Sequence, residues 1–333
     1  MLDILFICKD RSSGDYKEGK YGLWNSASFV VEFLNKSQIK TDLISVFDAN
    51  FIDRAIHVNK PKVVVLEAIW VTPQKLSELA RLHKKVKWIV RVHSKLPFLS
   101  NEGVALEWLN GYKSIPNVTL TGNNLEFVED MRSSNYKFEY LPNVYLDKIN
   151  YSRPIFSRQD LHIGCFGSLR PMKNHLIQAV SSIDFANKIG YNLKFHINSS
   201  RYEQRGDNVL KNLVALFKNN PTHDLVHHGW LSHSDFLGLV YTMDIGMQVS
   251  YSESFNIVAA DFVRMNIPIV TSKEISFNTS FLWADPNSRE DIVSKLTRAY
   301  RFGSFMNWRS NSKLDSYNLI AKDTWIKKCY SIL

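Results

Sequence analysis

Short apolar runs alternate with amphipathic stretches along most of the 333-residue chain. Apolar runs of this kind read as strands buried on both faces, and the stretches between them as helices, so the pattern argues for βα units around a parallel sheet. In the first half the runs predict strands at Ile4–Cys8, Thr41–Val46, Val63–Ile69, Val86–Val92, Val118–Thr121 and Phe138–Leu141. Leu23–Leu34 has helical spacing. A second helix is expected after Thr72-Pro73, where threonine caps and proline fits the first turn. A new series begins at Leu161–Phe166 and continues through Leu193–Ile197, Leu225–His228, Ile245–Val249 and Ile267–Val270.

The two series are separated by the polar stretch 145–159, which contains Pro154. The chain is therefore read as α/β, with two Rossmann-like domains in tandem: 1–148, 149–312, and an amphipathic final segment over 313–333 that crosses back to the first domain. Two such domains are expected to face each other across a cleft at the carboxyl ends of their sheets, where ligands bind in folds of this type.

Composition places limits on this picture. Hydrophobic residues make up 45% and charged residues 22%, an ordinary globular balance. No apolar run reaches the roughly 18–20 residues needed to cross a bilayer, so no integral membrane contact is expected. The first apolar run lacks a basic lead-in and reads as a strand, not a signal peptide. Cys8, Cys165 and Cys329 are odd in number and widely spaced, which suits buried thiols in a reducing cytoplasm. The net charge of +9 is uneven: residues 51–100 hold ten basic and three acidic side chains, and residues 101–150 hold four and seven. A basic excess attracts polyanions such as nucleic acid, anionic lipid or nucleotide phosphate, and it also occurs on any solvated helix face.

The second domain carries the informative motifs. Its first strand leads into Gly167-Ser168-Leu169-Arg170-Pro171-Met172-Lys173-Asn174, and a helix follows. Glycine lets backbone amides approach an anion, a helix N-terminus favours negative charge, and Arg170 and Lys173 add cations. The loop is neither GxGxxG nor a Walker loop, so NAD and ATP chemistry are disfavoured. A second stretch, Glu253-Ser254-Phe255-Asn256-Ile257, closes with Asp261 about two turns into the next helix. Carboxylates so placed suit hydroxyl groups of a sugar and a ribose, with amides near Ser254–Asn256 facing a diphosphate.

These residues resemble the retaining GT-B glycosyltransferases of the glycogen-synthase-like and sucrose-synthase-like group, GT4 in character. That group's signature is Glu, seven residues, then Glu; here Glu253 opens it and Asp261 closes it. His228-Gly229-Trp230-Leu231-Ser232, Asp244-Ile245, the Gly167…Lys173 loop, Leu141-Pro142-Asn143-Val144 and Trp325 resemble further segments of the group. The likeness covers about residues 145–330 well and the first half loosely. Ser168 stands where the group has arginine, and Ser254 and Asn256 where it has glycine. The resemblance implies transfer of a sugar from a nucleoside diphosphate sugar, with UDP-sugar as co-substrate and no bound cofactor, with retention. The leaving phosphate helps deprotonate the acceptor in that scheme. The implied donor-binding residues are Gly167, Ser168, Arg170, Lys173, Glu253, Ser254, Phe255, Asn256, Ile257 and Asp261, with Arg170 and Lys173 stabilising the departing diphosphate.

In the first half, His93 ends the strand that reads Val90-Arg91-Val92-His93-Ser94 and resembles the group's histidine near the reacting sugar; a structural histidine at a strand end is the plainer reading. Gly22 lies in a Gly19–Leu23 loop like a reduced acceptor loop. Glu67, which interrupts an apolar run, Trp70, Lys84, Lys85, Arg91 and Lys95 are the remaining acceptor-side candidates. His223, His227, His228 and His233 cluster in sequence, but a strand and a helix start would point them apart, and no Asp-x-Asp is present, so no metal is expected. The run Leu66-Glu67-Ala68-Ile69-Trp70-Val71-Thr72-Pro73, with Arg91-Val92-His93-Ser94-Lys95, also resembles glycosyltransferases of large tailed bacteriophages, which with the basic stretch makes double-stranded DNA carrying hydroxymethylated pyrimidines the leading acceptor. A cell-envelope glycan or lipid is the alternative, and an inactive GT-B fold that binds DNA or nucleotide is the rival from another class.

Overall fold

The computed structural model describes residues 2–10, 22–145 and 160–333. The chain divides into two compact units, 1–146 with 318–333, and 147–317.

In the first unit the strands are β1 (Ile4–Lys9), β2 (Thr41–Val46), β3 (Val63–Glu67), β4 (Lys87–Val92), β5 (Val118–Gly122) and β6 (Phe138–Tyr140), all parallel and ordered β2-β1-β3-β4-β5-β6. Every residue of β3 is buried, as expected of a parallel strand covered on both faces. Helices α1 (Gly22–Lys36), α2 (Phe51–Asn59), α3 (Pro73–Leu82), α4 (Leu96–Leu99), α5 (Ala105–Lys113) and α6 (Leu125–Ser133) connect them. Thr72 caps α3 by accepting from the Lys75 amide, and Pro73 occupies its first turn. Trp88, Leu109, Tyr112, Phe127 and Phe138 lie in this core.

The second unit contains β7 (Asp160–Gly164), β8 (Asn192–Asn198), β9 (Asp224–His228), β10 (Ile245–Gln248) and β11 (Ile269–Thr271), parallel and ordered β11-β10-β7-β8-β9. Around them run α7 (His175–Ile189), α8 (Gly206–Lys218), α9 (His233–Tyr241) and α10 (Ile257–Arg264). Phe195, Phe185, Leu213, Met247 and Leu282 lie in its core. Gly164 and Gly246 lie against Phe262 of α10, where an added Cβ would fall 3.0 and 2.5 Å from its ring, so glycine sets how closely that helix approaches the sheet.

The expected strands form, with ends shifted by one or two residues. The last helix differs more. A single helix, α11 (Arg289–Ile332), replaces the shorter final segment, and its last turns, from Asn318, belong to the first unit. Trp325 seats that end: it is buried, its Nε1 donates to the Pro142 carbonyl at 2.8 Å, and its ring meets Phe6 at 5.7 Å. The stretch 146–159, with the expected linker and domain boundary, and Gly19–Tyr21 lie outside the described residues.

Trp325→Ala removes a large buried ring and a buried hydrogen bond, so unfolding of the first unit should become easier by about 3–5 kcal/mol. Tyr330→Ala, at a side chain 80% exposed on the same helix, should stay within about 0.5 kcal/mol in the same urea titration.

Candidate active site

In the second unit, β8 and β9 lie to one side of β7 while β10 and β11 lie to the other. The sheet therefore reverses direction between β7 and β10, the place where an open α/β sheet leaves a crevice at its carboxyl end. The two motif loops leave from these two strands, so neighbours in the sheet bring together residues some eighty positions apart. Gln178 of α7 ties the loops to one another: its Nε2 donates to the Lys173 carbonyl at 2.7 Å, and its Oε1 accepts from the Val249 amide at 2.8 Å. Asn174, in the left-handed region at φ 60°, adds bonds to the Val249 and Pro286 carbonyls.

At the centre, Lys173 Nζ lies 2.6 Å from Glu253 Oε1 and 3.3 Å from Gln248 Oε1. Gln248 also receives Asn256 Nδ2 at 2.8 Å and donates to the Phe166 carbonyl at 2.7 Å. Burial pulls the Lys173 ammonium below its usual pKa; Glu253 opposes that pull and Arg170 adds to it. Gly167 has φ 110°, open to glycine and strained for other residues, and its amide donates to Asn198 Oδ1 at 2.9 Å. Asn198 in turn donates to the Gly229 carbonyl, so it holds the glycine loop and the start of the β9–α9 connection together. Arg170 is held by Glu203 at 3.2 Å, and Ser168 is half-buried beside it.

Asn256, where the resembled group has glycine, caps α10: its Oδ1 accepts from the Ala259 amide at 2.8 Å. Asp261 is buried and paired with His233 at 2.8 Å. Burial lowers the His233 pKa, but its bond to Asp261 outweighs this and raises it overall. Phe255 packs between Phe277 and Tyr317, so its ring belongs to the packing of this unit. Ser254 and Ile257 flank it, half-buried.

The acceptor-side candidates of the first unit fare differently. Glu67 and Arg91 are buried and face each other, with Arg91 Nη1 3.1 Å from both Glu67 oxygens. Arg91 also donates to the Leu141 and Pro142 carbonyls and to Asn143 Oδ1. Arg91 thereby holds the Leu141–Asn143 segment while Glu67 holds Arg91, and neither side chain is exposed. Burial alone would push the Glu67 carboxyl up; the Arg91 and His93 charges overcome it and hold it below its usual range. His93 Nε2 contacts Glu67 Oε2 and its Nδ1 receives Asn123 Nδ2 at 3.3 Å. Burial lowers the His93 pKa, and the Glu67 charge opposes it. This is the one acceptor-side candidate left partly open at the carboxyl end of β4.

Lys95 is buried in a 2.6 Å pair with Glu126, and Trp70 packs against the core. Lys84 and Lys85 are exposed, yet they precede β4, at the amino end of the sheet. Six strand residues, roughly 20 Å, separate that end from His93. The charge count thus merged two opposite ends of one strand. Gly22 opens α1, and among the described residues nothing lies within 4 Å of its Cβ position; the rest of its loop lies outside them.

Three features carried no local signal. His162, His196 and His228, on adjacent strands β7, β8 and β9, form a ladder with ring-nitrogen contacts of 3.0 and 2.9 Å. His175 opens α7 fully buried, and among the described residues neither ring nitrogen has a hydrogen-bond partner. Asp53, His57 and His83, on α2 and after α3, bring three donor atoms within 4.8 Å of one another. The sequence cluster disperses: His223 binds the Leu193 amide and Asn187, while His233 turns to Asp261.

Neither a protein-family profile nor a curated protein sequence matches the chain. Solved structures do. HepE of Anabaena, in complex with UDP and glucose, superposes with a TM-score of 0.72 at 11% identity over 100% of both chains. A UDP-forming α,α-trehalose-phosphate synthase from Burkholderia xenovorans gives 0.70 at 11%, covering 99% of each chain. A glycosyltransferase from Rickettsia africae gives 0.67 at 15%, covering 99% of this chain and 98% of that one. The architecture is the GT-B fold, two parallel-sheet α/β units and a C-terminal helix.

Burial, then the charges of Lys173 and Arg170, lowers the His175 pKa from 6.5 to about 3. The folded chain keeps this imidazole neutral while the unfolded chain protonates it below pH 6.5, so its contribution is present above that pH and is lost as pH falls toward 3. At pH 5 the loss should reach about 2 kcal/mol. His175→Leu should show a smaller fall in urea midpoint between pH 8 and pH 5 than the parent chain; equal falls would contradict a neutral buried imidazole.

Proposed function

We propose that this chain is a glycosyltransferase that takes a sugar from a nucleoside diphosphate sugar, UDP-sugar foremost, and that its donor is held by the two loops at the β7–β10 reversal. The observation that carries this reading is the Lys173–Glu253 pair in that crevice, flanked by Gly167 and the capped start of α10. A diphosphate entering there brings more negative charge than one carboxylate, and so draws the Lys173 ammonium to itself. Glu253 is then released to accept hydrogen bonds from sugar hydroxyls. Arg170 and the amino end of α10 add positive potential where the leaving diphosphate gathers charge. Asp261, steadied by His233, is the carboxylate for the ribose. The known GT-B structures that bind UDP with glucose or form UDP support the choice of nucleotide. The resemblance to the GT4 group implies retention, with the phosphate oxygen deprotonating the acceptor and no metal required.

On the acceptor side, His93 is the group placed to meet a hydroxyl, oriented by Glu67 and Asn123. Modified DNA remains one acceptor reading, through Arg81, Lys84, Lys85 and Lys87 as exposed cations. Their position at the amino end of the sheet weakens it, since they lie a strand length from His93. An envelope glycan or lipid is the second reading, favoured by exposed aromatic and basic side chains on α11.

Release of nucleoside diphosphate from a panel of UDP- and GDP-sugars, with hydroxymethylcytosine DNA or a lipid-linked saccharide as acceptor, tests these roles. One donor should be turned over, and the product should keep the donor's anomeric configuration by NMR. Glu253→Ala should lower kcat by at least about a hundredfold. Lys173→Ala should weaken donor binding about tenfold or more. Full activity in both variants would remove the donor site from this crevice.

A further inference from the structure

The part of α11 that belongs to the second unit buries Ile292, Leu296, Ala299, Met306 and Leu314. Its other side carries Arg298, Arg301, Phe302, Phe305, Trp308 and Arg309, all exposed. At 100° per residue these six fall within an arc of about 120°, a single face of the helix. Phe302, Phe305 and Trp308 are 52, 76 and 59% exposed. Three large rings in a row on a solvent face are costly to leave in water and mark a surface that is covered by something. From Lys295 to Lys313 the helix holds five basic residues and no acidic one.

We propose that this face docks on an anionic lipid bilayer, with the three rings entering the boundary between headgroups and acyl chains and the arginines meeting lipid phosphates. A helix lying in the interface plane needs rings that enter the membrane and cations that meet its phosphates, and on this face the arginines are interleaved with the rings. Arginine suits a place between such rings because its stem lies along apolar surface while its guanidinium stays with phosphate. The geometry speaks against nucleic acid. Arg309 lies over the Trp308 ring at 5.4 Å, Arg298 lies over Phe281 at 5.2 Å, and Phe281 meets Phe302 edge-on at 6.4 Å. Arg309 thereby takes one face of Trp308 that a stacking base would need. Charge speaks against a second copy, because a two-fold contact would set three arginines against the same three. No helix of the described residues is long and apolar enough to cross a membrane, so the contact is one of lying on the surface.

Sedimentation with vesicles of phosphatidylcholine alone, or with about 30 mol % phosphatidylglycerol, tests this without reference to sugar transfer, so it stands or falls apart from the proposed activity. The full chain should bind the anionic vesicles roughly tenfold more strongly than the neutral ones, less at high salt, with a blue shift of tryptophan fluorescence that is absent from Trp308→Ser. Phe305→Ser with Trp308→Ser, and separately Arg301→Glu with Arg309→Glu, should each cut binding about tenfold or more while thermal melts stay unchanged. Lys84→Glu with Lys85→Glu should not. Equal binding by parent and both double variants would overturn the proposal. So would a parent chain that ignores anionic vesicles, whether it self-associates through this face in ultracentrifugation or binds a single-stranded oligonucleotide through it.

Discussion

A buried ammonium held against a carboxylate organises the second unit. Lys173 and Glu253 come from loops on neighbouring strands, β7 and β10, and each would be costly to bury alone. Gln178, Gln248, Asn174 and Asn256 then fix the backbone on both sides of the pair. The result is a small polar centre at the one point where the sheet order reverses, closed by side-chain amides that bind the chain to itself. In the proposed function, a ligand with concentrated negative charge replaces Glu253 as the partner of Lys173.

The first unit uses the same physics for a different end. Arg91 spends its donors on Glu67, Asn143 and two carbonyls, and the Trp325 ring lies against its guanidinium at 5.3 Å. That network ties the end of α11, the β4 strand and the Leu141–Asn143 segment into one piece. His93 sits at its margin, where burial and Glu67 act on it in opposite senses. A partly open imidazole held by a buried carboxylate is a positioned hydrogen-bonding group, which is what an acceptor hydroxyl requires.

Much of the fold was legible because parallel strands buried on both faces must be apolar throughout; Val63–Leu66 and Ile4–Ile7 announce themselves. The two loops proposed to hold the donor also stand out in the sequence, since Gly167 and Lys173 lie close together, as do Glu253 and Asp261. Legibility failed where partners are distant. Nothing local to Glu67 or Arg91 says that each neutralises the other on adjacent strands, so both read as acceptor-side candidates. Lys84 and Arg91 sit a few residues apart in sequence and at opposite ends of β4, a distinction that a charge count lacks. The His162–His196–His228 ladder exists only through sheet register. Only about the last half of helix α11 is legible as one segment, because its buried face serves one unit at the start and the other at the end, which breaks the periodicity that would have joined them.

Amide hydrogen exchange with and without UDP tests the donor site most directly. Protection should rise in Phe166–Asn174 and Val249–Asp261, and the first unit's α2 and α3 should be unaffected. UDP binding that leaves both loops unchanged, or that protects only residues elsewhere, would contradict a donor site built on Lys173 and Glu253.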